Sequence, residues 1–265
     1  RTQGTRARLE FFAPAAKGTE GALRDELREL RVRGVRADRG GVHFGGDWSD
    51  AFRACLASRI ALRILHPLSE FAASDSESLY AGVRAVDWSP YLSPKLTLAV
   101  RATVRDSGLT HSGFVALRTK DAVVDQFMDR RGSRPSVDAD DPDVGIFLHL
   151  AKNRAKLYVD VTGESMHKRG WRAHHNEAPL KETLAAAILR LSGWDRRTPL
   201  RDPMCGSGTL AIEAALWARG IAPGVDRPLG IERWALFDGI LRTRLQEMRE
   251  RIRKNLSRLE RMSPE

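Results

Sequence analysis

Leu200-Arg201-Asp202-Pro203-Met204-Cys205-Gly206-Ser207-Gly208-Thr209-Leu210 is the stretch on which the reading of the C-terminal part of the chain turns. Pro199-Leu200-Arg201 reads as the end of a short strand, Gly206 and Gly208 as a turn, and Thr209 to Ala218 as a helix. Strand, turn and helix in that order build open α/β sheets. Neither glycine carries a Cβ, so a ligand can approach the backbone closely. The N–H groups at the helix start can bind a carboxylate or a phosphate.

Several ligand classes compete for such a turn. A phosphate loop of the Walker type needs Gly-Lys-Ser/Thr, and no lysine follows here. The dinucleotide fingerprint G-x-G-x-x-G/A is formally met by Gly206, Gly208 and Ala211. Its expected acidic residue would be Asp226, which stands in a loop rather than at a strand end. Asp202-Pro203 directly before Gly-x-Gly is the pattern of S-adenosylmethionine (SAM) methyltransferases that modify exocyclic amino groups. A structural corner without a ligand is the remaining reading.

Upstream of the turn, Leu180, Leu184, Ala187, Ile188 and Leu191 form a helical stripe, with Pro179 suited to the first turn. Met166 to Asn176 reads as a basic linker. Downstream, Trp234 to Arg261 reads as one long basic helix. At the other end, Leu9 to Ala13 predicts a strand, and Leu23, Leu27 and Leu30 a helix capped by Thr19. Gly40-Gly41 is a hairpin turn opening the strand Val42 to Phe44. Ser49 or Asp50 caps a helix carrying Ala51, Phe52, Cys55 and Leu56, and Ile60 to Leu68 is a further strand. The order β-α-β-β-α-β predicts helices on one face of a sheet.

In the middle, Leu79 to Val86 is a short helix. Leu96, Leu98, Val100, Ala102 and Val104 alternate as a half-buried strand. Val115 to Met128 is a helix offering Leu117, Val124, Phe127 and Met128 to a core, and Arg130 to Pro135 is a basic turn. Val144 to Leu150 and Lys156 to Val161 make a hairpin around Lys152-Asn153-Arg154.

The turn and its surroundings resemble the THUMP-domain RNA methyltransferases, in particular the RlmL-type large-subunit rRNA guanine-N2-methyltransferases. The resemblance rests on Asp202 to Ala215, on Arg169-Gly170-Trp171-Arg172, and on Ala178 to Ile188. Gly40 to Phe44, Leu79 to Val83 and Lys120 to Asp125 extend it over nearly the whole chain. It implies an α+β front half followed by the start of an α/β Rossmann-like class I SAM methyltransferase domain. The front half would be a ferredoxin-like segment over 1–68 and a THUMP RNA-binding domain over 69–165, with the partial methyltransferase domain over 166–265. It implies SAM as cofactor, surrounded by Asp202, Pro203, Cys205, Gly206, Ser207 and Gly208, with Pro179, Lys181 and Glu182 nearby. The implied reaction moves a methyl group to a guanine amino group, a task of base flipping and alignment.

One departure bears on activity. The family's catalytic loop is Asn-Pro-Pro-Tyr, and these 265 residues contain no such tetrapeptide. The acidic residue expected to hold the SAM ribose is also absent. The chain therefore reads as a piece of an enzyme that does not methylate RNA alone. The other reading is a non-catalytic RNA-binding module with a methyltransferase remnant.

The net charge of +10 fits a polyanionic partner, with rRNA expected and tRNA the alternative. The charge is uneven: +5 over residues 1–68, −2 over 69–165 and +7 over 166–265. Arg101, Arg105, Arg118, Lys120, Arg130, Arg131 and Arg134 are the candidate RNA contacts of the middle segment, against a solvated charged face for any one alone. His174-His175 with Glu177 has no zinc-type spacing, so no metal is expected. Cys205 has no histidine placed to activate it as a nucleophile. Only two cysteines, Cys55 and Cys205, exclude a disulfide framework and suggest a reducing, cytoplasmic setting. No run of about 18 apolar residues predicts a membrane span.

Overall fold

The computed structural model describes residues 8–171 and 180–262. The chain divides into two compact units. One comprises Arg1–Ile64, Glu164–Arg227 and Ile240–Glu265, the other Leu65–Gly163 and Pro228–Gly239.

In the first unit, β1 (Leu9–Pro14), β2 (Arg36–Asp38) and β3 (Gly41–Gly46) run antiparallel in the order β2-β3-β1. The hairpin turn is Arg39-Gly40, one residue before the expected Gly40-Gly41, with Gly41 already in β3 and Gly40 at φ +80°, a conformation that favours glycine. Helix α1 (Glu20–Glu29) buries Leu23 and Leu27. Thr19 precedes it, but its hydroxyl donates back to the Ala16 carbonyl at 2.8 Å instead of capping the helix. Helix α2 (Trp48–Ala57) begins earlier than Ser49 or Asp50 predicted. Asp47 is its cap, accepting from the Ser49 N–H at 2.7 Å. Asp50 sits inside the first turn and accepts from the Asp47 N–H at 3.1 Å, closing a reciprocal capping box.

The same unit holds α5 (Glu182–Leu191), α6 (Thr209–Ala218) and most of α7 (Gly239–Met262). Helix α5 packs on α6 and α1 through Ala185, Ala186, Ala187 and Leu189. The expected stripe is only partly used, because Ile188 and Leu191 stay exposed. Residues 199–201 do not form the expected strand. A strand exists through hydrogen bonds to a neighbour, and among the described residues no strand pairs with this segment. The expected helix from Trp234 is broken too. Gly230–Arg233 is a short 3-10 turn, and α7 starts only at Gly239.

In the second unit, β4 (Leu65–Ala72), β5 (Thr97–Arg105), β6 (Ser136–Val137), β7 (Val144–Ala151) and β8 (Arg154–Asp160) run in the order β4-β8-β7-β5-β6. β4 replaces the strand expected over 60–68. It starts at Leu65 and carries a bulge between Pro67 and Ser69, where the proline cannot donate to a ladder. Helices α3 (Ser76–Arg84) and α4 (Ser112–Arg131) pack on this sheet. Gln126 of α4 donates to the Arg84 and Val86 carbonyls, both at 2.7 Å, and so satisfies the C-terminal end of α3. Val124 and Phe127 are buried as expected and Val115, Ala122 and Val123 join them, whereas Leu117 and Met128 are exposed. Arg130 and Arg131 belong to the last turn of α4 and not to a basic loop, and Gly132, at φ +64°, ends the helix. Among the described residues no helix is long and apolar enough to cross a membrane, and no group of three metal-ligating side chains converges.

Candidate functional site

The turn at 202–208 is built by two backbone devices. The Asp202 carboxylate accepts from the Met204 N–H at 3.2 Å, bending the chain after Pro203. The Gly208 N–H then donates to the Cys205 carbonyl at 2.7 Å, and the Gly208 carbonyl receives the Ile212 N–H at 2.8 Å, starting α6. Gly206 and Gly208 have φ of +53° and +74°, so both positions need the missing Cβ. A Cβ added at Gly206 would meet nothing within 4 Å, which leaves this side of the turn open to a ligand. Ser207 Oγ lies 3.3 Å from Thr209 Oγ1 at the helix start. Met204 and Cys205 are exposed. These features fit an adenosyl ligand: an open glycine backbone, a helix N-terminus and one carboxylate beside it.

The remaining expected cofactor residues are separately placed. Lys181 is the exposed residue preceding α5, with no side-chain cap bond, and Glu182 is buried in the first turn of α5. Pro179, like His174, His175 and Glu177, lies outside the described residues.

Behind the turn is a charge cluster that the sequence reading did not single out. Glu213 of α6 is fully buried. Arg169 donates to it from Nε at 3.2 Å, and Arg59 Nη1 stands 3.8 Å from its other oxygen. Arg169 also donates to the Met166 and Arg59 carbonyls at 2.8 and 2.6 Å. Arg59 donates to the carbonyls of Leu216, at 3.0 Å, and Ile221. Burial holds the Arg59 guanidinium down to about 10, against the opposing pull of Glu213 and Glu26. Two arginines far apart in sequence thus fix the middle and end of the helix that follows the glycine turn. Only the presence of Glu213 in an otherwise apolar helical run hints at this.

The expected RNA contacts do not form one patch. Arg118, Lys120, Arg130 and Arg131 are spread along α4, which at 20 residues is about 30 Å long, whereas Arg101 and Arg105 stand on β5 and Arg134 follows α4. Arg105 ends β5 and pairs with Asp106 at 3.2 Å. Arg118 lies over the Tyr80 ring, 4.1 Å from its centre, and Lys120 pairs with Asp121 at 2.5 Å. Arg130 is 3.4 Å from Asp87, and with Arg131 it borders a cleft shared by Ser89, Gln126 and Phe127. Arg134 is exposed in the following loop. Tyr80 ties this region together: its hydroxyl donates to Asp125 at 2.7 Å and accepts from Arg84 at 2.9 Å.

Fold and turn together resemble the THUMP-containing methyltransferases, and comparison with known proteins extends the likeness along the chain. Three family models match consecutive stretches: the RlmL ferredoxin-like domain over residues 10–65, the THUMP domain over 73–160, and the RMKL-like methyltransferase domain over 169–261. Segment by segment, the chain is similar to the THUMP-domain RNA methyltransferases. Its relatives include the ribosomal RNA large subunit methyltransferase K/L of Syntrophotalea carbinolica, 47% identical over 96% of this chain and 36% of that protein. The protein of the same name from Methylococcus capsulatus is 45% identical over 94% of this chain and 35% of its own length. The chain therefore spans about a third of the length of these relatives. Among solved structures, it is similar to SMU.472 complexed with SAH, with TM-score 0.80 and 34% identity over 92% of this chain and 65% of that one. It is also similar to TrmN from Thermus thermophilus, with TM-score 0.59 and 25% identity over 79% and 62% of the two chains.

Proposed function

We propose that these residues belong to an enzyme that methylates the exocyclic N2 amino group of a guanine in large-subunit rRNA, with SAM as methyl donor. The observation that carries the reading is the joining, in one chain, of a THUMP fold to an open Asp202-to-Gly208 turn. Asp202, Pro203, Cys205, Gly206, Ser207 and Gly208 would hold SAM, with Pro179, Lys181 and Glu182 nearby. Bound there, SAM supplies an electrophilic methyl group on a sulfonium sulfur. The turn backbone presents N–H groups at the start of α6, and the Arg59–Glu213–Arg169 cluster keeps that helix in place. The division of labour follows the segments: ferredoxin-like over 1–68, RNA-binding over 69–165 and methyltransferase over 166–265. Arg105, Arg118, Lys120, Arg130, Arg131 and Arg134 are candidate RNA contacts of the middle segment. These 265 residues carry no Asn-Pro-Pro-Tyr, so the chain by itself is expected to bind its ligands without transferring a methyl group.

Deleting the gene tests the substrate. Mass spectrometry of nuclease fragments should show loss of one N2-methylguanosine from large-subunit rRNA, restored by the intact gene. An unchanged rRNA pattern with a lost tRNA methylation would move the substrate to tRNA. Full methylation of both in the deletion strain would overturn the enzymatic reading.

A further inference from the structure

The sheet of the second unit has two unlike faces. On one, Ile146, Leu148, Leu150, Leu157 and Val159 are buried. Phe71 joins them in register opposite Ala155, and α3 reaches this face, because Gly82 stands against the Phe71 ring. The alternate residues point the other way. Arg101 lies opposite Phe147, which lies opposite Tyr158. Thr103 lies opposite His149, which lies opposite Lys156, and Arg105 lies opposite Ala151, which lies opposite Arg154. Arg101, Thr103, Arg105, His149 and Arg154 are exposed, and Phe147 and Lys156 are half-buried.

The charges of this face are unbalanced. Glu70 pairs with Arg154 at 2.9 Å and with Lys156 at 3.7 Å, and Asp106 pairs with Arg105. Among the exposed and half-buried residues of this face, four cations thus meet two carboxylates, while Tyr158 and Asp160 at its far end are buried. Arg101 has no carboxylate partner among the described residues, and its guanidinium lies 5.9 Å from the centre of the Phe147 ring. Burial, then the charges of Lys156 and Arg105, lower the His149 pKa. On α4, Arg118 covers Tyr80, Arg131 lies 5.8 Å from the centre of the Phe127 ring, and Lys120 and Arg130 have carboxylate partners.

We propose that the exposed part of this sheet face takes a single-stranded stretch of RNA, with a base on the Arg101–Phe147 platform and the flanking phosphates on Arg101, Arg105 and Lys156. An aromatic on an exposed sheet surface is how proteins stack unpaired bases, and cations flanking it meet the backbone. Arg101 and Arg105 are about 13 Å apart along β5, enough for contacts on both sides of a stacked base. The proposal rests on the methyltransferase reading only for the choice of RNA as polyanion.

The test is fluorescence anisotropy of the 265-residue chain with a labelled single-stranded RNA and the matching duplex, at several salt concentrations. Arg101→Glu with Arg105→Glu should weaken single-strand binding by about tenfold or more, and each lost phosphate contact should flatten the salt slope by about 0.7. Phe147→Ala should weaken it by about tenfold with less change in slope. Phe147→Leu, with the melting temperature as a fold control, separates lost stacking from lost packing. Arg130→Glu, Arg131→Glu and Arg134→Glu combined should have a smaller effect than the sheet pair. Sheet variants that bind like the parent, or duplex binding as tight as single-strand binding, would overturn the proposal while leaving the RNA reading intact. A parent chain that binds neither RNA would overturn both.

Discussion

In the second unit, Leu98, Ile146, Leu148 and Leu157 are at most 1% exposed. In the 182–210 region of the first unit, Ile188, Leu191, Leu200 and Met204 are 41, 60, 42 and 90% exposed. Both regions have the apolar content of a core. The difference is the ladder. Strands β4, β8, β7 and β5 satisfy one another's backbone and so can bury both their main chain and one side-chain face. The segment before the glycine turn pairs with no strand among the described residues, so Leu200 stays at the surface, and Ile188 and Leu191 lie on the exposed side of α5. What holds the glycine-turn helix there is the buried Arg59–Glu213–Arg169 cluster together with its packing on α5.

The largest expected effect breaks that charge anchor. Glu213→Leu leaves two arginines buried without their carboxylate and should cost about 3–5 kcal/mol. Hydrogen exchange should show lost protection in α6 while β5, β7 and β8 keep theirs. Equal loss in both regions would mean that the contrast is not local. A pair of leucines sharpens the comparison at a lower magnitude. Leu148→Ala in the sheet core should cost about 2–5 kcal/mol, read by urea unfolding. Leu191→Ala on α5 should stay within about 0.5 kcal/mol.

A smaller effect concerns pH. Glu26 is buried in the first unit and accepts from the Ser58 hydroxyl at 2.6 Å and from the Arg59 and Ile60 N–H groups at 2.9 and 3.3 Å. Burial raises its pKa above the ordinary 4.5, against the opposing hydrogen bonds. A carboxyl raised by folding contributes stability below its unfolded value, and that contribution is lost as pH rises through the folded value. Glu26→Gln should therefore remove a decline in stability above pH 4.5, seen as a flatter plot of urea midpoint against pH. An unchanged slope would assign the decline to another group.

Much of this was legible in the sequence, for identifiable reasons. The glycine hairpin, displaced by one residue to Arg39-Gly40, the alternation of β5 and the start of α6 at Thr209 are local signals that the structure carries. The failures share a cause, which is distance along the chain. Whether Leu200 joins a strand depends on a neighbour that the local pattern cannot reveal. The helix expected from Trp234 is interrupted because the Leu236 N–H donates to the Pro90 carbonyl at 2.7 Å and Trp234 packs edge-on against Tyr91. The basic residues of 101–134 looked like one group, but their partners Tyr80 and Asp87 decide which of them remain available. At the candidate site the glycine turn was legible and its buried anchor was not, since Arg59 lies 154 positions before Glu213.

The measurement closest to the central claim is hydrogen exchange of the 265-residue chain with and without S-adenosylhomocysteine, paired with the same experiment on Gly206→Val. The account predicts added protection confined to the 202–212 backbone in the parent chain and its loss in the variant. No added protection at this turn in the parent chain, or protection produced by NAD instead, would contradict it.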